Sequence, residues 1–142
     1  MKTFVVLAVS IVLVSIFFCP MVMSAPLSMP ADLQIVQPDP SLPKELSAFF
    51  GKWELNGGTS RYFLIVEKID EEKANLYVWA IAINESPNAA PTWMRYEAKV
   101  IKERGKYKLW YIGRFGNAEL TLKGEYLISS GPSWRMKLGR VP

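Results

Sequence analysis

The chain contains no histidine and a single cysteine, Cys19, in 142 residues. Those two absences exclude the Ser-His-Asp and Cys-His nucleophile arrangements, histidine-ligated zinc and cysteine-cluster zinc. Charge of one sign is also scarce. There are 17 basic and 13 acidic residues, a formal net charge of +4. So small an excess, scattered along the chain, reads as a solvated surface, and no nucleic-acid partner is expected. The carboxylates offer no facing pair for glycoside hydrolysis and no loop spacing for calcium. Asp70-Glu71-Glu72 reads as a turn, and Glu97 and Glu119 alternate with apolar neighbours, which sets them outside. The expectation is a protein that is not an enzyme and takes no metal or cofactor.

What is present is apolar and aromatic: 50% hydrophobic residues and 13% aromatics, enough to build one core. Residues 1–24 read as an export signal. Lys2 supplies the charge, Phe4 to Phe18 the apolar run, and Val22-Met23-Ser24 a site for cleavage after Ser24. Membrane contact is expected only through this segment, and the rest is expected to be secreted or periplasmic. Cleavage removes Cys19, so the exported domain folds without disulfides.

Residues 25–43 carry Pro26, Pro30, Pro38, Pro40 and Pro43, half of the 10 prolines. Proline donates no backbone hydrogen bond and restricts its predecessor, so this stretch is an extended arm or a segment draped on the domain. The domain itself spans 44–142. Pro43 to Phe50 reads as one or two helical turns, with Leu46, Phe49 and Phe50 at helical spacing and Gly51 ending them. Period-2 segments follow at Trp53–Leu55, Arg61–Lys68, Ala74–Ile83, Trp93–Ile101, Lys106–Ile112, Ala118–Leu122, Glu125–Ile128 and Ser133–Arg140. Tight turns separate most of them, and 84–91 is the longer loop. Consecutive strands joined this way pair as antiparallel neighbours. Eight in a row, with no helix to cover a face, predict an all-β, eight-stranded, antiparallel up-and-down barrel preceded by a short helix.

Phe50-Gly51-Lys52-Trp53 at the start of this meander, with Trp134 to Arg140 at its end, resembles the lipocalin and calycin superfamily, in its small bacterial form. The resemblance implies that Trp53 sits at the closed end of the barrel and that a basic residue of the last strand packs across it. Arg140 shares its parity with Trp134, Met136 and Leu138, so it is the residue expected to do this, and Gly51, Trp53 and Arg140 are assigned a structural role. The domain is shorter than a full lipocalin and has no helix after the last strand.

Tyr77 and Trp79 lie two apart, and Trp93 opens the strand after the long loop. With Arg95, Tyr96 and Tyr111 they are the candidate ligand-binding wall and rim, an aromatic cup for a small, mostly apolar molecule. Aromatics equally serve as core, so two alternatives stand beside the cup. One is a protein partner met through residues 25–43. The other is a carbohydrate surface on Trp93 or Trp110.

Overall fold

The computed structural model describes residues 28–55, 62–80 and 92–142. The proposed export signal and the 84–91 loop lie outside the described residues, as do Arg61 and the end of the Ala74–Ile83 segment.

A single helical turn, α1 (Lys44–Ser47), leads into eight strands: β1 (Gly51–Leu55), β2 (Tyr62–Ile69), β3 (Lys73–Ala80), β4 (Thr92–Glu103), β5 (Lys106–Gly113), β6 (Gly116–Lys123), β7 (Tyr126–Ser130) and β8 (Arg135–Val141). Each pairs antiparallel with the next, and the sheet closes on itself. The closing ladder sets Lys52 against Val141, Trp53 against Arg140 and Leu55 against Leu138. Closure satisfies the backbone groups that two free edges would leave unpaired. The expected all-β barrel, its strand order and its preceding helix are therefore what the structure has, and they are compatible with a lipocalin-like fold.

Alternation along the strands fills the interior. Leu64, Val66, Leu76, Val78, Ala98, Leu109, Leu120, Leu127 and Leu138 point inward and are buried. Their cross-strand partners (Val66 with Leu76, Leu109 with Leu120, Leu127 with Leu138) share that face, as sheet geometry requires. One end is plugged by α1, whose Leu46 is buried together with Phe49 and Trp53. The Trp53 indole donates to the Phe49 carbonyl at 2.9 Å. The Arg140 guanidinium lies 4.2 Å from the Trp53 ring centre and donates to the carbonyls of Phe50 (2.7 Å) and Ala48 (2.6 Å). Gly51 adopts φ +117°, and a Cβ there would stand 2.9 Å from Arg140 Nη1. That conformation and that approach both call for glycine.

β2 and β3 break the usual rule that one face of a strand is wet. Ile65, Glu67, Tyr77 and Trp79 point outward yet are buried. Residues 28–42 account for this, because the proline-rich arm runs across these strands. A bulge between Val66 and Lys68 leaves Glu67 outside the β2–β3 ladder. The arm uses what the bulge frees. Val36 donates its amide to the Glu67 carbonyl and Gln34 donates to its carboxylate, both at 2.9 Å. The Trp93 indole donates to the Ser28 carbonyl at 2.8 Å. Leu42 then anchors the arm in the core.

Candidate functional site

The six residues expected to form one cup fall on two faces. Tyr77 pairs with Arg95 and Trp79 with Trp93 on the β3–β4 ladder, and this row lies outside the barrel. Trp79 meets Phe63 edge-on at 5.8 Å, and Tyr77 meets Trp93 at 6.4 Å. Arg95 lies 5.4 Å from the Tyr77 ring centre and donates to the Glu67 carboxylate at 3.1 Å. Burial and the neighbouring Asp32 carboxylate hold the Tyr77 hydroxyl above its ordinary pKa. Of these four, Trp93 holds the arm at Ser28 and Tyr77 meets Asp32 of the arm, while Arg95 is paired with Glu67 and Trp79 with Phe63. Of the six, Tyr96 and Tyr111 alone point inward, their ring centres 5.3 Å apart and their planes tilted by 38°. Trp110 is half-buried on the outer face, between Lys99 and Glu119.

The inward pair belongs to a cluster at the end of the barrel opposite Trp53. Tyr62 and Tyr111 bring their hydroxyls to 3.5 Å, each buried. Ser129, fully buried on β7, faces both phenols, yet its Oγ makes no well-formed hydrogen bond. Tyr96 donates to the Met94 sulfur at 3.2 Å and accepts from the Arg114 amide at 3.1 Å. The Trp134 indole packs against the core over Gly131, where a Cβ would lie 2.3 Å from Nε1, and that nitrogen is buried without a partner. Met94 and Met136, half-buried and opposite Val78 and Ser129, complete the apolar part.

Burial raises the pKa of both Tyr62 and Tyr111, with Tyr111 held further up by the nearby Tyr62. Both are therefore neutral donors and acceptors at any ordinary pH. A buried polar atom without a partner costs about 1–3 kcal/mol, so Ser129 Oγ and Trp134 Nε1 are places where a bound molecule gains what the fold forgoes. Two surface grooves, of about 500 Å3 beside Trp53 and Arg140 and about 440 Å3 beside Val36 to Leu42, lie elsewhere. The first is lined by a guanidinium already committed to two carbonyls.

Tyr62, Ser129 and Trp134 were not among the expected site residues. For Tyr62 the signal was available, since it shares parity with Leu64 and Val66. Ser129 reads as part of a turn in Ser129-Ser130-Gly131-Pro132. The structure extends β7 through Ser130 and so turns Ser129 inward, opposite Leu120 and Met136.

Among the described residues, no group of carboxylates or cysteine could hold a metal ion, and no helix is long and apolar enough to cross a membrane. Comparison with protein-family models, with curated proteins and with solved structures returns no match.

Proposed function

We propose that the chain is a lipocalin-like binding protein, exported by its first 24 residues, that takes a small and mostly apolar ligand at the end of the barrel opposite Trp53. The observation that carries the reading is the buried cluster of Tyr62, Tyr111 and Ser129, with hydroxyl capacity that the protein leaves unused. Pockets for small molecules are mostly apolar with a few converging polar groups, and Tyr96, Met94 and Met136 supply the apolar remainder. Binding works by desolvating the ligand's frame against these side chains, with the hydroxyls fixing its orientation.

Titrating the protein with aliphatic compounds while following tryptophan fluorescence tests this. The expected result is a saturable change, weakened several-fold by Tyr111→Phe and left alone by Trp110→Phe. Silence with charged and uncharged aliphatic compounds alike refutes it. A second reading is favoured by the arm, whose Met29, Ile35 and Val36 stand exposed. Three apolar side chains on one pinned segment suit contact with a protein partner. Capture of a partner that is lost in Ile35→Ser/Val36→Ser but kept in Tyr111→Phe would favour it.

A further inference from the structure

We infer that the ligand's polar group is uncharged, a single alcohol, ketone or ester oxygen on an apolar frame, and that a free carboxylate is rejected. The inference deepens the binding reading above and rests on it.

The argument is one of charge placement. Alternation identifies the inward positions of every described strand, and only two of them are charged. Lys102 lies 5.1 Å from the Tyr107 ring centre at the plugged end, and Arg140 is at the same end on Trp53. Arg95, the cation among the expected wall and rim residues, lies on the other side of the sheet, paired with Glu67. The half of the interior that holds Tyr62, Tyr96, Tyr111 and Ser129 therefore offers hydroxyls and no cation at an inward position of a described strand; Arg114, whose amide meets Tyr96, stands exposed on the turn at its rim. Taking an ionised carboxylate out of water into such a place is costly, because nothing of opposite sign meets it. A neutral oxygen loses far less on desolvation, and hydroxyls can donate to it or accept from it. The phenols reinforce the choice. They stay protonated in this setting, so they present donors and no negative charge.

The test uses the full chain at pH 8, with Nile red, a neutral apolar dye, as the bound probe. It is displaced in turn by 1-decanol, 2-undecanone and decanoate. The expected result is that alcohol and ketone displace the dye at concentrations at least tenfold below decanoate. Lowering the pH to 4, which neutralises the carboxylate, should close most of that gap. Tyr111→Phe, which keeps the ring, should weaken the alcohol and ketone several-fold. Decanoate equal to or tighter than the neutral compounds at pH 8 overturns the inference while leaving the binding reading in place. A chain that binds neither the dye nor any of the three compounds overturns both.

Discussion

Arg140 lies over Trp53 from the strand directly across the seam of the barrel, 4.2 Å from the ring centre, and reaches past it to the carbonyls of Ala48 and Phe50. One side chain thus joins the last strand, the first strand and the turn after α1. Replacing it by alanine removes a cation–π contact and two charge-assisted hydrogen bonds, a loss of about 2–3 kcal/mol in urea unfolding. Arg140→Lys should recover part of this, because lysine keeps the charge but cannot reach both carbonyls as a planar fork. Gly51→Ala should destabilise comparably, since its backbone angle and the guanidinium beside it each resist a side chain. Equal midpoints for Arg140→Ala and the parent chain would contradict this account of the seam.

The arm hangs on Glu67. Its carboxylate, 2% exposed, holds Gln34 and Arg95, and its carbonyl holds Val36. Glu67→Ala should cost about 1–2 kcal/mol of stability and free the arm before the barrel opens. Amide exchange reads this out. Protection at Gln34 and Val36 should fall by at least tenfold, while that of Leu64 and Leu76 changes little. Uniform loss of protection would mean that arm and barrel open as one unit.

Alkaline pH should destabilise the fold through Tyr62 and Tyr111. Their folded pKa values are raised above the unfolded value of about 10. Below that pH both states are protonated and stability is flat. Above it the unfolded chain loses these protons while the folded chain keeps them. Stability then falls by about 1.4 kcal/mol per pH unit for each group. Absorbance at 295 nm should show these two phenols titrating only on unfolding, and Tyr62→Phe/Tyr111→Phe should flatten the slope.

Gly131→Ala should be more harmful than a surface change in a turn ordinarily is. The new methyl would sit 2.3 Å from the Trp134 indole nitrogen, so the ring would have to move. Displacing that ring costs about 1–3 kcal/mol. Thermal melts of Gly131→Ala alone and with Trp134→Ala check this, since the glycine should cease to matter once the indole is gone.

The barrel was legible because its strands and turns announce themselves locally. Trp93 to Ile101 alternates, and all eight expected strands agree with the structure to within two residues at every described end. The plug was legible too, through the parity of Arg140 and the Gly-x-Trp start. The site was legible only in part, for a reason particular to β3. Leu76, Val78 and Ala80 face inward while Tyr77 and Trp79 face outward, and all five are buried. Where both faces of a strand are apolar, alternation cannot say which is the interior. Only Tyr96 and Tyr111, on strands whose outer faces are exposed or charged, could be placed inside. Glu67 was hidden for a related reason. Its burial depends on a bulge and on an arm 33 residues earlier, and neither leaves a mark in the local pattern.

The chain enters β1 and leaves β8 on the same rim, with Lys52 reaching the Pro142 carbonyl at 3.1 Å. Tension applied at those two points would load the seam like a zipper, one rung at a time, instead of shearing all rungs together. The first rungs in line are the ones bridged by Arg140, so a single cation stands where mechanical peeling would start.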